Sequence, residues 1–353
     1  MTPVRLLLTS LLVVAAPVAV GCSSSGSAPA IADSASKPGT ATAPTDSTTL
    51  PTPAEPAMAP AMSIAELAAY EKFFATTAGA AINASIRPPY DTAGLRDVFT
   101  GDWWEGTRFK SVYYRTDRLN AKGGLVRYTL TSTGPLYSLP RSAGRNAAIA
   151  FMRFQGKGKS DEGGNRRDGL ILLVQNQGSS TWKAASLIGV PYVDQLPEAA
   201  GAPRPPTDSE ETQARSFVES VIDYLEDGTV PSDAKMGPEP YDWRQAIKRG
   251  LWDSDSDVDV SLLDTGVAGV GAGAPITIVP AADGLIGVAQ LVRTMTTPIY
   301  GGIHGEGNTD VLYRKRLVDG RIRTRDGLSI AFTIRDGGEP AVIGGDLGLF
   351  LPK

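Results

Sequence analysis

One cysteine and one histidine are the whole supply of thiol and imidazole in this 353-residue chain. The cysteine, Cys22, closes Ala19-Val20-Gly21-Cys22 behind Arg5 and an uncharged run from Leu6 to Val20. A positive residue, a short apolar stretch and small residues at a cut make a secretory signal, for which about 7 to 15 apolar residues suffice where a membrane-spanning helix needs roughly 20. Small residues directly before a cysteine fit the pattern at which a bacterial leader is removed and the new N-terminal cysteine is diacylated. Residues 1–21 therefore read as a lipoprotein signal peptide and Cys22 as the lipidation site, carrying palmitate-type chains. Two acyl chains hold a protein durably, each buried methylene contributing about 0.8 kcal/mol.

The remaining chemistry is sparse. His304 lies within Gly301-Gly302-Ile303-His304-Gly305-Glu306-Gly307, which reads as a glycine-rich loop bearing an exposed histidine rather than a catalytic base, and no Gly-x-Ser-x-Gly elbow accompanies it. Zinc sites built from several His and Cys are excluded by count, and thiol catalysis by acylation of Cys22. The run from Gly266 to Gly273 lacks the Gly-Lys-Ser/Thr ending of a phosphate loop and is followed by Pro275, so it reads as a hairpin connection. Asp253, Asp255, Asp257 and Asp264 occupy the first, third, fifth and twelfth places of a calcium loop. Val258 stands where that loop turns on glycine, and Asp264 is shorter than the usual glutamate. The run reads as a solvated acidic turn before a strand, with calcium left open. No residue is assigned as catalytic, cofactor-binding or metal-ligating.

Residues 22–62 are Ser, Ala, Thr, Pro and Gly with few charges, too little apolar surface to offset the entropy of ordering, and read as a disordered tether. Such a chain spans roughly 35 Å. Beyond it the pattern turns from helix to strand twice. Ser63-Ile64-Ala65-Glu66 is a capping box, followed by Leu67, Tyr70 and Phe74 on one face. About 145 residues on, Asp208-Ser209-Glu210-Glu211 opens a second helix with Phe217, Val218, Val221 and Leu225 inward and Gly228 placed to end it. Pro89-Tyr90-Asp91 is echoed by Pro240-Tyr241-Asp242, and Trp103-Trp104 by Trp252. Strands are expected over 108–115, 125–131, 148–154, 170–174 and 182–188, then over 258–263, 276–279, 285–293, 311–316, 329–334 and 341–343. The reading is α+β: a first domain over 63–195, a proline-rich linker over 196–206 and a second domain over 207–353, each a helix against a curved antiparallel sheet.

Cys22, the low-complexity tether, and the run from Gly169 to Val174 followed by Thr181-Trp182-Lys183 together resemble the uncharacterised exported lipoproteins of actinobacteria, whose domains resemble the cystatin and nuclear-transport-factor cone. The resemblance implies that fold and an extracytoplasmic, membrane-anchored place in the cell envelope. It brings no catalytic residues, because such domains serve as enzymes, ligand binders and interaction modules alike. The net charge of −4 argues against nucleic acid as partner. The basic groups Arg166-Arg167 and Arg314-Lys315-Arg316 with Arg321, Arg323 and Arg325 read as solvated strand faces rather than a patch for wall polymer. Two roles follow: a non-catalytic module binding a ligand, an envelope protein or wall polymer; or an envelope hydrolase or isomerase using a cavity Asp or Glu.

Overall fold

The first helix begins where the capping box places it. In the computed structural model Ser63 is the N-cap of α1, Ile64–Phe73, with the Ser63 hydroxyl accepting from the Glu66 N–H and the Glu66 carboxylate accepting from the Ser63 N–H. The helix widens into one π-type turn over Phe74–Ala78, where the Thr76 hydroxyl donates back to the Lys72 carbonyl, and resumes as α2, Gly79–Ser85. The structure describes residues 58–116, 125–158, 165–191, 193–237, 257–298, 317–318 and 321–351. Cys22, His304, Asp253, Asp255, Trp252, the strand expected over 311–316 and the Pro240-Tyr241-Asp242 echo lie outside them.

After a short α3, Leu95–Val98, comes α4, Gly101–Thr116. Residues 108–115 were expected as a strand, and the structure corrects this. The face that α4 buries carries Thr107, Phe109 and Ser111. Two of these are small hydroxyl residues at helical spacing that satisfy themselves on helix carbonyls: Thr107 donates to Trp103 at 2.8 Å and Ser111 to Ser85 of α2 at 2.7 Å. A buried face made of hydroxyls leaves no apolar period to read.

Four antiparallel strands follow: β1 Arg127–Ser138, β2 Asn146–Lys157, β3 Asn165–Gln175 and β4 Trp182–Gly189. The chain then runs through 196–206 to α5, Asp208–Glu226, whose cap is Thr207 with Glu210, one residue earlier than expected, and whose Gly228 takes positive φ as anticipated. Arg204 pairs with Glu210 and holds its carboxyl down at about 2. Beyond lie β5 Asp257–Leu262, β6 Ile276–Ala281, β7 Gly284–Pro298, β8 Leu317–Val318, β9 Arg321–Arg335 and β10 Ala341–Leu349. The mixed helix and antiparallel-sheet class is thus as expected.

All these strands join one sheet in the order β1-β2-β3-β4-β10-β9-β7-β5, with β6 beside the first part of β7 and β8 beside β9. The strands of the two halves meet through β10, the last strand, which pairs fully with β9 but touches β4 at one residue pair, Gly345 with Gly189. A Cβ on Gly344 would sit 2.2 Å from the Gly189 carbonyl oxygen, so this approach requires glycine.

Three large apolar clusters and a small fourth, Leu263 with Val292 and Phe350, fill the described fold. In one, α1 to α3 pack Leu67, Phe74 and Phe99 on Ala148, Ala150 and Ile171 of the first strands. In another, α5 packs Phe217 and Val221 on Leu291, Leu328 and Phe332. The third draws Ile149, Phe151 and Leu172 from the first half together with Val279, Val288, Ala331 and Ile343 from the second. β2 carries members of two clusters on its two faces, which is why Ala147 to Met152 reads as an unbroken apolar run rather than an alternation. The 196–206 segment is tied down too: the Tyr137 hydroxyl donates to the Pro197 carbonyl, and the Ala282 N–H to that of Glu198. Residues 57–353 accordingly form one compact unit.

Candidate functional site

The N-terminal end of α4 enters the sheet where β4 and β9 come close. Phe99 forms a bridge with Ala184 of β4, the Thr100 N–H donates to the Ala184 carbonyl at 3.0 Å, and Gly101 then turns at φ 58°. That turn aims Asp102 at two serines from different halves. The Ser186 hydroxyl of β4 donates to Asp102 Oδ1 at 2.7 Å, the Ser329 hydroxyl of β9 donates to Oδ2, and the two serine oxygens lie 3.3 Å apart. The Asp102 N–H donates to Gln290 Oε1 of β7 at 3.1 Å. Ser186, Gln290 and Ser329 are fully buried, while Asp102 keeps partial access to solvent.

Burial pushes the Asp102 carboxyl up to about 7; the Ser329 and Ser186 hydroxyls pull it back, and the charge of Asp346 adds to the rise. Asp346, on β10, is itself paired with Arg167 of β3 at 2.6 Å. The assembly can therefore hold or release one proton near neutrality while tying α4, β4 and β9 together. Its geometry depends on residue 101 having no side chain, since a Cβ there would fall 2.0 Å from Gln290 Oε1 and 3.0 Å from the Ala185 carbonyl. Gly101→Ala is expected to lower stability by about 1–3 kcal/mol through positive-φ strain and this overlap, to be read as a reduced urea midpoint at unchanged m.

One turn away, on the outer side of the same junction, lies a cleft of about 240 Å³ lined by Arg96, Phe99, Thr100, Trp104 and Lys183. The Arg96 guanidinium stands 5.2 Å from the Trp104 ring centroid, and Lys183 Nζ donates to the Arg96 carbonyl. Trp103, by contrast, turns inward and stacks on Phe99 at 5.0 Å, so the adjacent tryptophans divide between core and cleft as adjacent helix positions must.

The other residues weighed in the sequence do not converge here. Asp257 begins β5 and pairs with Arg321, whereas Asp264 follows the strand and accepts the Gly266 N–H in a local turn. About 20 Å of extended chain separates them, so they cannot share one calcium ion. No group of three or more potential metal ligands is found among the described residues. Arg166 pairs with Asp168, which it shares with Arg153, and Arg167 pairs with Asp346, so both members of that basic pair are engaged within the sheet. Along β9, Arg323 is exposed while Thr324 and Asp326 are buried, the alternation expected of a strand with one solvated face. No described helix is long and apolar enough to cross a membrane. The fold and this junction together define an α+β protein whose ten-stranded antiparallel sheet is pinned by a buried Asp-Ser-Ser cluster. The chain matches no protein-family model, and no curated protein matches it.

Proposed function

We propose that this chain is an extracytoplasmic lipoprotein, anchored to the cell membrane through Cys22, that serves the envelope as a non-catalytic module binding a ligand, a protein or a wall polymer. Its two halves are read as tandem cystatin or nuclear-transport-factor-like modules merged along β10. The two capping-box openings, Ser63 with Glu66 and Thr207 with Glu210, each followed by antiparallel strands, support that ancestry. The observation that carries the binding role is the cleft itself: its lining is two aromatic residues, a threonine and two cations, groups that hold a ligand. The anchor is tested by fractionating a bacterial host that makes the full chain. Wild type should sediment with membranes and take up labelled fatty acid, whereas Cys22→Ser should do neither; unchanged sedimentation of the variant would sink the proposal.

A second reading has one observation in its favour. A carboxyl held near neutrality between two hydroxyls is suited to act as general base in an envelope hydrolase or isomerase. Incubating the full chain with an envelope extract and following small molecules by mass spectrometry separates the two. A metabolite consumed by wild type and left intact by Asp102→Asn would establish the enzyme.

A further inference from the structure

We propose that the cleft of Arg96, Thr100, Trp104 and Lys183 is a subsite for a phosphate group carried on a sugar-sized body, an inference that rests on the binding-module reading above. Both cations face it without a carboxylate partner: among the described residues neither Arg96 nor Lys183 forms an ion pair, although the chain as a whole is acidic and Arg153, Arg166 and Arg167 all reach aspartates, the first two sharing Asp168. Lys183 spends one donor on the Arg96 carbonyl, which fixes its ammonium at the cleft and leaves two free. The Arg96 guanidinium lies over Trp104, which orients its fork while all its N–H groups stay available.

Two unneutralised cations on one small cavity call for a dianion that both can donate to. A phosphate monoester offers three oxygens to a fork and a point charge together, whereas a carboxylate is satisfied by the guanidinium alone. The rest of the lining describes what bears the phosphate. At about 240 Å³ the cleft is smaller than the roughly 300–1,000 Å³ that encloses a drug-sized ligand, so it takes one ring or one headgroup and leaves anything longer outside. Trp104 and Thr100 in the lining, an aromatic residue beside one that bears a hydroxyl, suit the mixed faces of a polyol. The same chemistry is offered by a soluble sugar phosphate and by a lipid whose inositol headgroup carries a phosphate monoester, and the anchor at Cys22 would keep either within reach.

The test titrates the full chain with glucose 1-phosphate, glucose and inorganic phosphate by calorimetry, and with vesicles of phosphatidylcholine with or without phosphatidylinositol 4-phosphate by co-sedimentation. Saturable binding of glucose 1-phosphate but not glucose is expected. It should weaken with salt and fall about tenfold in Arg96→Gln and in Lys183→Gln, and further in the double variant. Arg96 is exposed, so its variant leaves the core intact and keeps the test open should Lys183→Gln misfold. Binding confined to phosphatidylinositol 4-phosphate vesicles, and lost in the variants, would also support the subsite and make the headgroup its source. No binding of any phosphate probe, or equal binding by wild type and Arg96→Gln, would overturn it. Envelope components retained by the double variant would then leave the binding module standing without this ligand, and envelope extract giving no retained component would remove both.

Discussion

Asp326→Ala is expected to cost about 3–5 kcal/mol of folding stability, the largest loss from any single change at a polar residue here. Asp326 on β9 faces Arg293 on β7 in register, and Arg293 Nη2 and Nε donate to Asp326 Oδ2 at 2.8 and 3.2 Å. Each side chain is only 3% exposed. Truncating the carboxylate leaves a guanidinium sealed in an apolar wall with nothing to offset its lost hydration. For a unit of this size each kcal/mol shifts the midpoint by roughly 2–4 °C, so a drop of about 6–20 °C should appear in thermal unfolding. The paired replacement Arg293→Met with Asp326→Leu removes both charges at similar volume and should return most of the loss. A cost below about 1 kcal/mol for Asp326→Ala would mean that water reaches the pair.

Asp102→Asn is expected to change how stability depends on pH. The folded carboxyl is raised from its ordinary 3.8 to about 7, so the native state binds this proton more tightly than the unfolded chain does. Stability from this group is therefore full below about pH 4, declines as pH rises towards 7 and is level above. The whole shift corresponds to about 4 kcal/mol; partial solvent access at Asp102 reduces the expected decline to about 1–3 kcal/mol. The charges set around it, Asp346 of β10 with its partner Arg167 of β3, are common to wild type and variant. Urea midpoints measured at about pH 5 and about pH 8 should thus converge in Asp102→Asn, with the variant the more stable at the higher pH. Asp326, whose carboxyl burial also raises against the pull of Arg293, leaves a slope of the same sign, and Lys110, whose ammonium burial lowers, adds one of the opposite sign. A wild-type profile flat over this range would show that the carboxylate is solvated.

Much of the fold was legible because its signals are local. Ser63 with Glu66 announces a helix start through two reciprocal hydrogen bonds, and Gly228 ends α5 through a backbone angle that glycine takes without strain. The runs around Ile149, Leu172 and Ile330 announce strands because both faces are buried. What could not be read is whatever depends on contacts between distant segments. α4 hides Thr107 and Ser111, whose hydroxyls are neutral in any hydropathy count until their acceptors are known. Nothing local tells that β10 lies beside β4, since the junction consists of glycines and one residue pair.

The candidate site divides along the same line. Ser186 between Ala185 and Leu187, Gln290 between Ala289 and Leu291, and Ser329 between Leu328 and Ile330 are each a single polar residue inside an apolar strand. That is a signal that a buried partner is owed, because an unsatisfied buried hydroxyl or amide costs about 1–3 kcal/mol. The identity of the partner, Asp102, lies 84 residues from Ser186 and 227 from Ser329, beyond the reach of any spacing argument. Arg96 and Lys183 are likewise ordinary surface cations until the fold shows them facing one cavity without a carboxylate.

The position of β10 also sets an order of events. Chains are made from the N-terminus, and every strand from β1 to β9 exists before the one that lies between β4 and β9. Until residues 341–349 arrive, β9 presents a bare row of amides and carbonyls, and the halves lack the strand that joins them along the sheet. A nascent chain, or one cut before residue 341, is thus a sticky species with an open edge along β9. This insertion completes the sheet, so a cut between β9 and β10 would open it in the middle rather than trim an edge.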